Sequence, residues 1–237
     1  MKRISYSKIN TFITCPLRYQ FQYIEKLERP DSSSTQQLGK YIHEVLEHWR
    51  EGLDLTEVGT LFEDKYLLAD EEKSVVPMLL ANAKAMYEPY RGMPAESELR
   101  LEYATTNQGE EIVINGIIDK VYHASEDKFI IVDYKTGRSR MDNSLQMKFY
   151  FYLLNKARGY KPEDITAKIF YLRLNQTVTY NFDTATLREF ETWLWTVLEF
   201  IDKTEKFVHD FSKACSFCQY RKEDCVPYKI KKEKYGV

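Results

Sequence analysis

The chain has 237 residues, of which 43% are hydrophobic and 30% charged, with a formal net charge of −2. This composition excludes a disordered chain, and the length is sufficient for one well-buried core, so we predict a single domain over residues 1–237. The longest apolar run, FYFYLL, is too short to cross a bilayer, and MKRISYSKINTF lacks an apolar signal region. We therefore expect a cytoplasmic protein with no membrane partner.

The predicted elements begin with a helix over residues 37–50, whose apolar side chains recur at the i, i+3, i+4, i+7 spacing of a buried helical face. These side chains are Ile42, Val45, Leu46 and Trp49. Residues 51–97 are predicted to form a helical insertion, with helical structure over 56–90. This insertion matches no pattern of known function.

Strands are predicted in the centre of the chain. ELRLEYAT and EIVINGIIDKVYH flank the turn sequence TNQGE and predict a hairpin, and KFIIVDYK predicts a central strand. A helix over 142–158, strands over 165–174 and 177–182, and an amphipathic helix from 187 to 201 follow. This order predicts an α/β fold in which a mixed β-sheet, with its core at 98–182, is flanked by helices.

Two carboxylates and a lysine are predicted to meet on this sheet. Asp133 and Lys135 lie two apart on one strand and therefore point to the same face, where Asp119 of the neighbouring strand can join them. Carboxylate oxygens suit Mg²⁺ or Mn²⁺, and a lysine beside the metal can orient a water molecule. The alternative is a surface ion pair between Asp133 and Lys135, which is common at strand ends.

Polar side chains also recur on two of the predicted helices. In LGKYIHEVLE, His43 and Glu47 stand four residues apart on one face, with Gly39 four residues earlier. An imidazole ligand would favour Mn²⁺ over Mg²⁺, although a histidine on an amphipathic helix is also a common boundary residue. In QMKFY, Gln146 and Tyr150 repeat the i, i+4 spacing, where they can hold a phosphate or simply lie on the helix surface.

Taken in this order, the motifs resemble those of the RecB-type branch of the PD-(D/E)XK nuclease superfamily. The family pattern of G-x-x-x-H-x-x-x-E, G-x-x-D, D-x-K and Q-x-x-x-Y appears here as Gly39/His43/Glu47, Gly116/Asp119, Asp133/Lys135 and Gln146/Tyr150. The resemblance implies a restriction-endonuclease-like core that cleaves DNA with a divalent metal.

The resemblance also implies a role for each site residue. His43, Asp119, Asp133 and the Tyr134 carbonyl would hold Mn²⁺ or Mg²⁺, and Lys135 would position the attacking water. Gln146 and Tyr150 would support the active site and the DNA strand. The expected catalytic residues are therefore Lys135, Asp119, Asp133, Gln146 and Tyr150.

The four cysteines are distributed unevenly, because Cys215, Cys218 and Cys225 cluster near one end whereas Cys15 lies 200 positions upstream. In a reducing compartment, such thiols ligate metal more often than they form disulfides. Zinc and an iron–sulfur cluster both accept four thiolates, and the asymmetric spacing is less typical of zinc. Thiols without any metal are a third possibility.

AddB nuclease domains and CRISPR-associated RecB-like exonucleases are similar to this chain in their cysteine arrangement. They carry one cysteine before the nuclease motifs and three after them, and these four hold a [4Fe-4S] cluster. The resemblance implies that Cys15, Cys215, Cys218 and Cys225 bind such a cluster and that residues 1–36 and 206–237 form an iron–sulfur clasp joining both termini.

Both ends of the chain are basic and carry aromatic residues. Residues 1–29 have six basic and two acidic side chains, residues 221–237 have six and three, and the remainder has 22 and 31. This distribution suits a polyanion at the ends, although terminal segments often carry surplus lysine. Candidates for stacking on single-stranded DNA, or for packing around the cluster, are Tyr19, Phe21, Tyr23, Tyr220 and Tyr228.

The sequence thus predicts a metal-dependent single-strand DNA exonuclease of repair, recombination or CRISPR adaptation. Its expected partners are DNA and either a helicase or CRISPR adaptation proteins. Two alternatives remain. One is a non-catalytic DNA-binding accessory subunit that keeps the nuclease fold, and the other is a zinc-stabilised binding module in which the D-x-K motif is incidental.

Overall fold

The computed structural model describes residues 2–28, 34–107, 109–221 and 223–235. The strands are β1 (Lys2–Ile4), β2 (Ala95–Asn107), β3 (Glu110–His123), β4 (Phe129–Lys135), β5 (Ile165–Tyr171) and β6 (Gln176–Asn181). The helices are α1 (Tyr6–Thr14), α2 (Pro16–Tyr19), α3 (Ser34–His48), α4 (Leu55–Thr60), α5 (Asp70–Tyr87), α6 (Ser144–Arg158), α7 (Thr184–Asp202) and α8 (Val226–Tyr235). None of these described helices is both long enough and apolar enough to cross a membrane.

The described residues form two compact units. The first, which we call the sheet unit, contains residues 34–107 and 109–191. The second, which we call the cysteine unit, contains residues 2–28, 192–221 and 223–235. The prediction of a single domain over the whole chain stays a prediction.

A mixed sheet forms the centre of the sheet unit. β3 pairs antiparallel with both β2 and β4, β4 pairs parallel with β5, and β5 pairs antiparallel with β6. The parallel pair arises because α6 carries the chain from the end of β4 back to the start of β5, as a crossover helix must. The predicted order of three strands, a helix and two strands is confirmed.

Helices cover both faces of this sheet. Val132 and Tyr134 of β4 belong to the apolar core that α3, α4 and α5 share, whereas Asp133 between them contacts α6. Because successive strand residues point to opposite faces, α3 and α6 lie on opposite sides of β4. The prediction of a mixed sheet flanked by helices is therefore confirmed.

Several predicted boundaries differ from the observed ones. The predicted helical region over 56–90 is divided into α4 and α5, with short 3₁₀ turns at Glu63–Lys65 and Glu88–Tyr90. The sheet core begins at Ala95 rather than at residue 98. The strand predicted over 165–174 ends at Tyr171, because Tyr171 pairs with Gln176 and the residues between them close the β5–β6 hairpin.

The cysteine unit brings segments from both ends of the chain together. The ring of Phe12 on α1 lies 5.8 Å from that of Phe200, and Leu17 N donates a hydrogen bond of 3.1 Å to Val208 O. Tyr220 donates its hydroxyl to Leu27 O at 3.1 Å. These contacts pack the segment before the sheet unit against the segment after it.

Two of the five predicted stacking aromatics are internal. Tyr19 is buried against the rings of Phe12 and Phe207, and Tyr220 is buried against Phe21. Because their faces are already in contact with protein, these two tyrosines pack the cysteine unit and do not offer a stacking surface for DNA. Phe21, Tyr23 and Tyr228 are half-buried.

Candidate active site

Helix α3 presents His43 to the edge of the sheet. The apolar face of the helix, with Leu38, Ile42 and Val45, is fully buried, which fixes the rotation of the helix about its axis. The Nε2 atom of His43 lies 2.9 Å from the carbonyl oxygen of Tyr134, which accepts its hydrogen bond. The other ring nitrogen, Nδ1, lies 3.4 Å from Asp119 Oδ1.

Asp119 joins strands β3 and β4 at the same place. Its Oδ2 atom accepts a hydrogen bond of 2.8 Å from the backbone N–H of Tyr134. The imidazole of His43 therefore approaches one carboxylate oxygen of Asp119, while the other oxygen is held by the backbone. The structure thus brings together three of the four predicted metal ligands, including the Tyr134 carbonyl.

Asp133 and Lys135 form a ring of two hydrogen bonds and one ion pair with Gln146 of α6. Lys135 Nζ lies 2.7 Å from Asp133 Oδ2 and donates a 2.9 Å hydrogen bond to Gln146 Oε1. Gln146 Nε2 donates to Asp133 Oδ1 at 2.9 Å and to the Tyr150 hydroxyl at 3.1 Å. Asp133 is 1% exposed, and Gln146 and Tyr150 are 8% exposed. Asp133 and Lys135 do form the ion pair of the alternative interpretation, but its carboxylate is buried, and Gln146 and Tyr150 do not lie on the helix surface.

Burial and proximity change the proton affinities of these groups. Burial lowers the pKa of His43, but the adjacent carboxylate of Asp119 outweighs it and raises the pKa to about 9. Burial raises the pKa of Asp133 to about 6, although the adjacent ammonium of Lys135 acts to lower it. Burial also acts to raise the pKa of Asp119, but His43 reverses this and lowers it below the usual value. Neighbouring ionisable groups whose pKa values are shifted in opposite directions are typical of active sites.

Glu98 is a further member of the site that our reading of the sequence missed. Ligand atoms of His43, Glu98 and Asp119 all lie within 4.8 Å of one another. The pairs Ser97–Lys120 and Leu99–Ile118 flank Glu98 and Asp119 on the adjacent strands β2 and β3. The hairpin predicted around TNQGE could have identified Glu98 from the sequence, because its register sets residue 98 opposite residue 119.

These donors fit a divalent metal. The group offers one imidazole and two carboxylates, with a backbone carbonyl 2.9 Å from the imidazole, and this mixture of nitrogen and oxygen suits Mn²⁺. Asp133 Oδ2 is buried and accepts no regular hydrogen bond from a described residue, so its contact there is the ion pair with Lys135. Glu47, from the same sequence motif as His43, lines a polar cavity with Ser97 and Lys120.

The cysteine unit contains one cavity that all four cysteines line, together with His209. None of the four is in a disulfide, and Cys215 Sγ lies 3.6 Å from His209 Nε2. Burial raises the pKa of the Cys218 and Cys225 thiols. Among the described residues, no three of these sulfur atoms lie within 4.8 Å of one another. The cavity therefore gathers the thiols without assembling a metal centre.

Comparison with known proteins places this geometry in a wider context. A search of curated proteins found no match. Among solved structures, the chain is similar to the crystal structure of SSO0001, with 13% sequence identity and a TM-score of 0.50 over 96% of this chain and 87% of the other. That similarity concerns the fold alone. The model of the PD-(D/E)XK nuclease superfamily matches residues 3–222. The chain therefore belongs to the PD-(D/E)XK nuclease superfamily, whose members are generally metal-dependent nucleases.

Proposed function

We propose that this protein is a metal-dependent deoxyribonuclease that degrades single-stranded DNA from an end. The observation that carries the proposal is the ring formed by Asp133, Lys135 and Gln146 beside the His43–Asp119 pair. This arrangement supports the proposal because an ammonium group lies close to groups that can bind a metal. Hydrolysis of the phosphodiester would leave a 5′-phosphate and a 3′-hydroxyl.

His43, Asp119, Asp133 and the Tyr134 carbonyl would hold Mn²⁺ or Mg²⁺. When bound, the metal supplies a water of lowered pKa and polarises a phosphoryl oxygen. Without it, His43 carries a proton at neutral pH, since its pKa is about 9. That imidazolium lies between Asp119 and the Tyr134 carbonyl, where its charge is favourable. Metal binding must release this proton.

Lys135 is the group that would act on the water and the phosphate. An ammonium has three N–H donors, and Lys135 donates one to Gln146 Oε1 while it also forms the ion pair with Asp133 Oδ2. A remaining donor would orient the attacking water or stabilise the charge that develops on a phosphate oxygen. Gln146 is a positioning residue, since it holds both Lys135 and Asp133, and Tyr150 supports Gln146.

Preference for single strands is supported by aromatic rings on the cysteine unit. The side chains of Phe217 and Phe211 are 85% and 49% exposed, and Lys8 Nζ lies 5.6 Å from the centre of the half-buried ring of Tyr23. Exposed aromatic rings beside basic residues bind unpaired bases by stacking. The proposal extends to cytoplasmic DNA repair, recombination or CRISPR adaptation, with a helicase or CRISPR adaptation proteins as partners.

We further propose that Cys15, Cys215, Cys218 and Cys225 bind a [4Fe-4S] cluster. Their convergence on one cavity supports this proposal. One short cysteine triplet with a distant single cysteine is less typical of zinc than of an iron–sulfur cluster. The role of the cluster would be structural, because it would connect the segments at the two ends of the chain.

The test is to incubate end-labelled single- and double-stranded DNA with anaerobically purified protein in Mn²⁺, Mg²⁺ or EDTA. Wild type should cleave in metal, and Lys135→Ala should cleave about 100- to 1000-fold more slowly. Lys203→Ala, an exposed lysine of the cysteine unit, is the control and should match wild type. Equal cleavage by Lys135→Ala and wild type would overturn the proposal. DNA binding without cleavage by either would favour the accessory-subunit alternative.

A further inference from the structure

The backbone of Glu98 is unusual for its position. Glu98 lies inside strand β2 but has φ of +46°, a left-handed conformation that non-glycine residues rarely adopt. The flanking pairs Ser97–Lys120 and Leu99–Ile118 keep the same register on both sides, so no residue is inserted. The strand is therefore distorted at this one residue and regular on either side.

This distortion occurs where Glu98 meets the active site. A carboxylate oxygen of Glu98 lies within 4.8 Å of ligand atoms of both His43 and Asp119. Glycine or asparagine would adopt this left-handed conformation at a lower energetic cost. The backbone alone therefore does not account for a glutamate at this position.

We propose that Glu98 is an additional ligand of the catalytic divalent metal, contributed by β2 opposite the Asp119 ligand of β3. This inference rests on the proposed function and goes beyond the residues of the four sequence motifs. With Glu98, the candidate side-chain donors are the carboxylates of Glu98, Asp119 and Asp133 and the imidazole of His43. The added carboxylate increases the negative charge at the site, and the imidazole directs the preference toward Mn²⁺.

The proposal also explains why a strained residue is kept in an otherwise regular strand. A strained backbone conformation persists at a binding site where the surrounding structure holds it in place. Substitution by glycine should therefore have two opposite effects. Glu98→Gly should raise the melting temperature measured in EDTA, since the backbone conformation becomes unstrained, and it should weaken metal binding, since the carboxylate is lost.

The experiment measures Mn²⁺ binding to the full, anaerobically purified chain by calorimetry, together with the Mn²⁺-induced rise in melting temperature. Glu98→Gln keeps the size of the side chain and should weaken Mn²⁺ binding by at least about tenfold. Glu102→Gln, an exposed carboxylate on the same strand, is the matched control and should bind as wild type does. Asp119→Asn reports on the metal site itself and should abolish binding.

The outcomes separate this inference from the proposed function. If Glu98→Gln binds Mn²⁺ within twofold of wild type while Asp119→Asn does not bind, Glu98 is not a ligand and the metal site stands. If wild type itself binds no Mn²⁺, both the ligand assignment and the metal-dependent function fail. Loss of affinity in Glu98→Gln, with the control unchanged, supports the assignment whatever the nuclease assay shows.

Discussion

Gln146 donates its amide N–H to Asp133 Oδ1 at 2.9 Å, which connects helix α6 to the buried carboxylate of the D-x-K strand. The carbonyl oxygen of the same amide accepts a hydrogen bond from Lys135. One side chain thus holds both charged residues of the motif in a single orientation. An amide is suited to this task, because it presents a donor to the carboxylate and an acceptor to the ammonium.

We therefore expect Gln146→Glu to be more harmful than its similar size suggests. A carboxylate at this position loses the donor to Asp133 and places a second negative charge beside it, and the pKa of Asp133 should rise further. Cleavage should fall by about 100-fold or more, and the optimum should shift to higher pH. The measurement is the pH profile of cleavage in Mn²⁺. An unchanged profile would show that Gln146 does not position these groups.

The two motif glycines should respond oppositely to alanine. A Cβ on Gly116 would lie 3.0 Å from Leu153 and 3.5 Å from Phe149, both on α6, whereas a Cβ on Gly39 would lie 3.5 Å from Thr136. Overpacking at Gly116 should cost about 1–3 kcal/mol. Alanine at Gly39 sits inside helix α3 and should stabilise it by up to about 1 kcal/mol.

Urea unfolding of both alanine variants tests this contrast. If Gly116→Ala is as stable as wild type, the contact between α6 and β3 leaves room for a methyl group at residue 116. Cleavage by Gly39→Ala carries separate information, since its folded structure has room for the methyl group. A stable but inactive Gly39→Ala protein would indicate that this glycine leaves space for the DNA strand.

The buried ion pair between Glu72 and Arg173 should make the free energy of unfolding depend on pH. Glu72 is 3% exposed, and its carboxylate lies 2.8 Å from Arg173, which also donates to Thr136 O just after the D-x-K strand. Burial acts to raise the pKa of Glu72, but Arg173 outweighs it and lowers the pKa below 4.5. A lowered pKa stabilises the fold above the unfolded value, and this contribution is lost as pH falls below about 4.5.

Glu72→Gln should remove that contribution while keeping the shape of the side chain. We expect a loss of about 1–3 kcal/mol at pH 7 and a smaller difference from wild type as pH falls through 4. Urea unfolding of both proteins between pH 3.5 and 7 measures it. Glu57→Gln, on α4, serves as an exposed control. A constant difference across this range would contradict the assigned ion pair.

Cys225→Ser should affect the cysteine unit and spare the active-site residues. Cys225 is 5% exposed and lines the cavity with the other three cysteines. Loss of one thiolate should lower both the iron content and the melting temperature of anaerobically purified protein. Ser216→Ala is the control for a change in the same loop. An unchanged melting temperature with retained iron would exclude the cluster as a link between the chain ends.

Local patterns in the sequence were sufficient for the order of the elements and for most of the site. Alternation placed Asp133 and Lys135 on one face of a strand, and helical periodicity placed Gln146 and Tyr150 together on α6. Such patterns are reliable because side-chain direction follows from the period of the backbone itself. The order of the motifs along the chain then predicted the superfamily that the family model confirmed.

Tertiary structure decided what depends on contacts between distant segments. It buried Asp133 against Gln146, and it enclosed Tyr19 and Tyr220 within the cysteine unit. It also placed Glu98 beside His43, which is 55 positions earlier and on a different element. Periodicity is blind to such contacts, since it reports which face a residue occupies and not which element packs against that face. Hairpin register set Glu98 opposite Asp119, but only the packing of α3 brought His43 to the same point.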